Sequence, residues 1–231
     1  MSISIIIPCK NEEESIYPVI REIELVFDEA KISHEIIVVD NNSTDSTKHE
    51  AEKIGSHIRI VDCATPGYGA AIMHGIQKAS HPTVCMIDGD WSYNPRDILR
   101  LLDLRTDNPN AHIYMGNRFS NGQITNIKFL HRIFGVPMLN WITNTLYRAP
   151  ESYDSHCGLR LFDKKILDTL QLKQNDFSFA NEMVCKALKN KLAIIQTPIT
   201  LRKDLRVFTT SKIKTIQDGF YALKTIVSSR F

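Results

Sequence analysis

Pro82-Thr83-Val84-Cys85-Met86-Ile87-Asp88-Gly89-Asp90 runs from an apolar strand straight into two carboxylates. On extended chain, residues two apart point the same way, so Asp88 and Asp90 share a side. Two ionised carboxylates side by side repel unless a cation lies between them. Hard oxygen ligands of this kind suit Mg²⁺ or Mn²⁺, and such a metal keeps room for substrate phosphates. A solvated turn would give the same three residues, so the stretch has to be weighed with its surroundings.

Working outward, apolar strands are expected at 2–8, 35–40, 58–62 and 83–88. Helices are expected between and after them, at 13–31, 45–54, 69–79 and 95–104. Such alternation of buried strands and helices means a mostly parallel α/β sheet with helices on both faces. Ligands of these sheets bind beyond the carboxyl ends of the strands. Those ends are polar throughout: Pro8-Cys9-Lys10-Asn11-Glu12, Asp40-Asn41-Asn42-Ser43, Asp62, and Asp88-Gly89-Asp90. Four strands therefore bring acidic or amide groups to one edge. Beyond residue 105 the pattern is less regular, with strands expected at 113–117, 157–162 and 193–200 and helices at 129–146, 178–189 and 211–227. With no repeat and no linker, the 231 residues read as one domain with an amphipathic C-terminal helix.

Net charge is +2, which argues against a general nucleic-acid binder. From Arg202 onward, however, seven basic residues face two acidic ones, which suits an anionic substrate or surface. The five cysteines form no C-x-x-C pair, so neither a zinc site nor a disulfide frame is expected. The start, Met1-Ser2-Ile3-Ser4-Ile5, lacks the basic region of a signal peptide. No apolar run is long enough to cross a bilayer.

Further motifs join these in a fixed order. They are Ile7-Pro8-x-x-Asn11-Glu12, Val39-Asp40-Asn41-Asn42-Ser43-Thr44-Asp45, Gly67-Tyr68-Gly69, and Asp88-Gly89-Asp90-x-Ser92-Tyr93. After them come Gly116-Asn117-Arg118-Phe119, Asp154-x-His156-Cys157-Gly158-Leu159-Arg160, Phe179-Ala180-x-Glu182 and Ser211-Lys212-x-Lys214. In this order they resemble an inverting family 2 glycosyltransferase of the GT-A (Rossmann-like) fold. More closely, they resemble the polyprenyl-phosphate, dolichol-phosphate mannose synthase-like branch.

The resemblance implies an enzyme that moves a hexose-type sugar from a UDP- or GDP-sugar, UDP being favoured, to a polyprenyl phosphate for cell-surface glycan synthesis; the alternatives are a transferase elongating a glycan at a sugar hydroxyl, or a nucleotide-sugar-binding subunit that needs a membrane partner. Pro8, Asn11, Glu12, Asp40 and Gly89 would surround the nucleotide, and Asp88 and Asp90 would hold Mg²⁺ or Mn²⁺ on its diphosphate. Gly67 and Gly69 would either cradle phosphate or allow close packing. Arg118 and Arg132 would grip the lipid phosphate, while Arg202 and Lys212 would close over the donor. Glu182 would either serve the chemistry or brace its helix. Residues 1–117 would form the nucleotide-sugar half and 118–231 the acceptor half. The resemblance further implies a cytoplasmic enzyme, peripheral on the inner face of the cell membrane, with room for a homo-oligomer or a membrane-protein partner. The chain departs from that branch at Ser92, where Gln is usual, and at Asn94, where Asp is usual.

Overall fold

A computed structural model of the chain describes residues 2–120, 135–203 and 212–230. The isoleucine-rich first strand, β1 (Ser2–Cys9), is buried on both sides and pairs in parallel with β2 (Ser33–Asp40) and β4 (Thr83–Met86). β3 (Arg59–Asp62) extends β2 in parallel. Between these strands run α1 (Ile16–Ala30), α2 (Thr47–Glu52) and α3 (Tyr68–Lys78). α4 (Arg96–Asp107) follows β4. The alternation read from residues 2–104 is thus present, with helices one to three residues shorter at most ends.

Two features depart from a purely parallel sheet. β6 (Arg160–Asp163) lies antiparallel between β4 and β5 (Ile113–Asn117), and β7 (Ile194–Pro198) pairs in parallel with β5 at the edge. The seven strands take the order β3-β2-β1-β4-β6-β5-β7. The chain order reverses at β4, beside β1, and this is where an α/β sheet opens a crevice for a ligand. α3 lies on β1 and β2, and α4 on β5, β6 and β7.

α5 (Val136–Leu146), α6 (Ile166–Leu170), α7 (Ser178–Lys189) and α8 (Lys212–Ser228) complete the fold. The short α6 has no counterpart in the sequence reading; its five residues are too few for a periodic signal. Leu139 and Tyr147 from the α5 region, Cys185 of α7, and Ala222 and Ile226 of α8 form a small second core. Tyr147 Oη donates to the Ile226 carbonyl at 2.8 Å, fixing α8 on the body of the protein. Among the described residues, no helix is long and apolar enough to cross a membrane.

Candidate active site

The loops after β1, β2 and β4 are tied together by short polar side chains. Asn11 lies at φ 59°; its N–H donates to Ser43 Oγ at 3.0 Å, and Thr44 N–H donates to Asn11 Oδ1 at 2.8 Å. Glu12 N–H donates to Thr47 Oγ1 at 2.7 Å, while Ser15 Oγ donates to Glu12 Oε2 at 3.1 Å. Asn41 holds the loop after β3, with Nδ2 on the carbonyls of Cys63 and Thr65 and Oδ1 accepting from Gly67 N–H. These bonds tie the loops after β1, β2 and β3 to one another.

Asp40 stands apart from these ties. Ser43 N–H approaches its Oδ2 at 3.4 Å, but Oδ1 is buried with no hydrogen-bond partner among the described residues. A buried acceptor left unpaired is costly, and a ligand N–H or O–H would satisfy it. Asp62, expected at the same edge, is instead exposed and paired with Lys48 at 2.8 Å.

Asp88 and Asp90 leave β4 beside these loops. Tyr68 Oη, from the start of α3, donates to Asp88 Oδ1 at 2.8 Å. Burial, with Asp88 alongside, pushes the Tyr68 phenol well above its ordinary range, so it remains a donor. Gly158 backs the same carboxylate: a Cβ there would sit 2.6 Å from Asp88 Oδ2. Asp90 Oδ1 accepts from the backbone N–H and the hydroxyl of Ser92, at 3.0 and 2.6 Å. The buried Cys9 thiol is pushed far up, first by burial and then by Glu12, Asp40, Asp88 and Asp90, which marks how these carboxylates converge. Among the described residues, no group of three or more His, Cys, Asp or Glu side chains forms a metal cage. Two carboxylates fit a Mg²⁺ or Mn²⁺ that completes its shell from phosphates and water.

Other candidates are placed differently. Gly67, at φ 123°, and Gly69 let the 174–176 loop press on the start of α3: a Cβ at Gly67 would lie 2.1 Å from the Asn175 carbonyl oxygen, one at Gly69 2.3 Å from that of Gln174. Close approach, not a phosphate cradle, explains both. Glu182, 2 % exposed, accepts from the backbone N–H groups of Lys173 and Gln174 and pairs with Lys186 at 2.8 Å. It braces that same loop. Arg118 forks onto Asp154, Nε to Oδ2 at 2.7 Å and Nη2 to Oδ1 at 2.8 Å. Burial pushes the Asp154 carboxyl up, but Arg118 outweighs this and holds it below the usual carboxylate range. Arg202 forks onto Glu22 of α1. Lys212 begins α8, and Arg132 lies outside the described residues. Pro8 and Gly89 stand at the ends of β1 and β4, where a Gly89 Cβ would meet the Cys9 sulfur at 3.0 Å.

Tyr68, Gly158 and Arg160 stand within motifs that the sequence singles out, but the sequence assigns none of them a role. Arg160 is fully buried and donates to the carbonyls of Cys157, Ala180 and Ser155 at 2.8–2.9 Å. A cavity of about 360 Å³ opens where β5 and β7 end, lined by Asn117, Asn140, Ser152, Asp154 and Gln196. Its amides bond one another: Asn117 Nδ2 to Gln196 Oε1 at 3.2 Å, and Gln196 Nε2 to the Ser152 carbonyl at 3.0 Å.

The low-salt glycan biosynthesis hexosyltransferase Agl6 of Haloferax volcanii is 29 % identical over 201 residues, 86 % of this chain and 47 % of that protein. An uncharacterized glycosyltransferase of Mycobacterium tuberculosis is 30 % identical over 154 residues, 64 % of this chain and 62 % of that one. The chain thus spans about half to three fifths of the length of these relatives. Among solved structures, glucosyl-3-phosphoglycerate synthase from Mycobacterium tuberculosis with Mn²⁺, UDP-glucose and phosphoglyceric acid matches at a TM-score of 0.78 and 20 % identity. The match covers 99 % of this chain and 79 % of that one. The same enzyme with Mg²⁺ and UDP matches at 0.76 and 18 %, over 99 % of this chain and 79 % of that one.

The GT-A α/β fold expected from the sequence is the fold observed. The polyprenyl-phosphate branch is not supported, and with it fall the lipid-phosphate acceptor, the membrane surface and the membrane partner. The structure with UDP-glucose, which the chain matches over 99 % of its length, holds phosphoglyceric acid as its acceptor-side ligand. In this chain the Arg118 guanidinium expected to grip a lipid phosphate is held by Asp154. α8 docks on α5 and α7 through Ala222 and Ile226. The family model for glycosyl transferase family 2 matches residues 4–171, from β1 through the Asp88-Gly89-Asp90 turn to the Arg118–Asp154 fork and β6, and the chain belongs to that family.

Proposed function

We propose that this protein is a metal-dependent glycosyltransferase that moves a hexose from a UDP-sugar to a small phosphorylated hydroxy acid, with 3-phosphoglycerate the first candidate. The observation that carries this reading is the unpaired, buried Asp40 Oδ1 on the same edge of the sheet as Asp88 and Asp90. A uracil or ribose needs such an acceptor, and a diphosphate needs a cation held by carboxylates. The contents of the related structures, UDP-glucose, Mn²⁺ and phosphoglyceric acid, support the substrate classes.

Within this reading, residues 1–117 bind the donor and 118–231 the acceptor. Asp40 accepts a hydrogen bond from the nucleoside, and the ties of Asn11, Glu12 and Asn41 keep its loop from relaxing. Asp88 and Asp90 would hold the metal, which offsets charge on the leaving diphosphate when bound. Tyr68 fixes one Asp88 oxygen by donating to it, and Ser92 fixes one Asp90 oxygen. Arg160, whose three bonds are all to carbonyls, places positive charge in the interior, which favours anionic ligands nearby. The five buried, free thiols fit a reducing compartment such as the cytoplasm.

The test is transfer of label from UDP-[¹⁴C]glucose to 3-phosphoglycerate with Mn²⁺, beside Asp90→Ala. Label in a new anionic product, lost in the variant, is expected. Binding of UDP with no transfer to 3-phosphoglycerate would overturn the acceptor, and failure to bind UDP at all would overturn the donor.

A further inference from the structure

Trp91 follows Asp90 in the chain and lies at φ 69°, a backbone conformation that bulky side chains rarely adopt. Such strain persists only where the surroundings over-determine it. Trp91 packs on the main core, and it also meets a residue far away in sequence, Arg202, in the segment after β7. The Arg202 backbone N–H donates to the Ser92 carbonyl at 2.7 Å. Its guanidinium sits 5.1 Å over the Trp91 ring. The same guanidinium forks onto Glu22 of α1, Nη1 to Oε2 at 2.5 Å and Nη2 to Oε1 at 2.7 Å. Arg202 therefore touches Trp91 and Ser92, the two residues that follow Asp90, and is itself anchored to a helix on the donor side.

We infer that Arg202 is a positioning residue, a latch that holds the Asp90-Trp91-Ser92 turn so that Asp90 stays aimed at the metal and diphosphate. The inference rests on the role of Asp90 given above. It assigns Arg202 a task other than contact with the donor, because both ends of its fork are occupied by Glu22. The planar guanidinium suits this: one face stacks on the indole while the edge forks onto the carboxylate, and an ammonium cannot do both. The side chain acts through Trp91; the Arg202 backbone N–H also holds the Ser92 carbonyl, a bond that side-chain variants keep, while the Ser92 N–H and hydroxyl hold Asp90 Oδ1. The C-terminal part of the chain thereby sets the geometry of a carboxylate that belongs to the N-terminal part.

The experiment measures binding of UDP with Mn²⁺ by calorimetry, in the full chain, for Asp90→Ala, Arg202→Met, Arg202→Lys and the charge swap Glu22→Arg with Arg202→Glu. In parallel, Trp91 emission is read in a Trp141→Phe background, which leaves Trp91 the sole tryptophan. Arg202→Met should weaken UDP–Mn²⁺ binding about fivefold to tenfold and shift Trp91 emission to the red before any ligand is added. The swap restores an ion pair to α1 but no cation to the indole. It should recover the urea midpoint while binding stays weak and emission stays shifted. Wild-type binding in Arg202→Met, or full recovery of binding in the swap, would overturn the latch. Should Arg202→Met fail to fold, Arg202→Lys gives the same reading, with weakened binding supporting the latch and wild-type binding opposing it. Unchanged UDP–Mn²⁺ binding in Asp90→Ala would instead remove the role of Asp90 itself, and the two failures are distinguishable.

Discussion

The two halves of this molecule put their charged residues to different uses, although each also keeps a buried side-chain oxygen without a partner among the described residues, Asp40 Oδ1 in the first and Asn181 Oδ1 in the second. In residues 1–117 the strand ends present carboxylates to a shared edge, and at Asp40 one oxygen has no protein partner among the described residues. In residues 118–203 the charged groups that look most like ligand binders serve the protein itself. Arg118 is held by Asp154, Glu182 by two backbone N–H groups and Lys186, Arg160 by three carbonyls, and Arg202 by Glu22. A buried charge must be paired or hydrogen-bonded to exist at all. The second half has an irregular backbone with few ladder bonds, so its charges do the work of secondary structure. The first half has its backbone satisfied by the sheet and can leave a side chain waiting.

The largest expected effect tests the second half. Asp154→Ala leaves the Arg118 guanidinium buried without its carboxylate, and should cost about 3–5 kcal/mol in urea unfolding at neutral pH. Because the folded Asp154 carboxyl lies below its ordinary value, this contribution is present above about pH 4 and is lost as pH falls through the folded value. The wild type should therefore converge on the variant in acid. A cost under about 1 kcal/mol would mean the fork is a surface-like pair and the contrast fails.

Asp90→Ala tests the first half. It should lower kcat/KM at least about a hundredfold in the transfer assay while moving the unfolding midpoint little. The reverse pattern would make Asp90 a turn residue. Glu182→Gln comes next, with a stability cost of about 2 kcal/mol from weakened acceptance of the Lys173 and Gln174 N–H groups. Limited proteolysis within 171–176 should speed up accordingly, and an unaltered cleavage rate would show that Glu182 does not brace this loop. Asp40→Asn is the smallest change. It should weaken UDP binding by about tenfold, read by calorimetry, with no loss of stability, since no protein bond is broken at Oδ1. A drop in stability without a change in affinity would move Asp40 from the first class to the second.

Much of this was legible in the chain. β1, β2 and β4 are short apolar runs that end in polar residues, and period and punctuation locate such elements well. Asp88 and Asp90 were legible because they stop a buried strand. The antiparallel insertion of β6 between β4 and β5 was not, because four residues carry no sign of their partner's direction. Nor was the role of Tyr68, whose hydroxyl reaches Asp88 across 20 positions of sequence. The sequence marks Arg118 as an anion-binding group but not which anion it binds, because a guanidinium reads the same whether its partner is the Asp154 carboxylate or a ligand.

By itself, then, the sequence determined the α/β alternation, the ligand-bearing edge and the paired carboxylates at the end of β4. Each is a local property of apolar period and strand end. The tertiary structure decided which charges are spent on the fold and which remain for a ligand. That depends on pairings 36 residues apart for Arg118 and Asp154 and 180 apart for Arg202 and Glu22. Such pairings arise only when the chain closes on itself, because the desolvation that makes a charge seek a partner exists only in the folded interior.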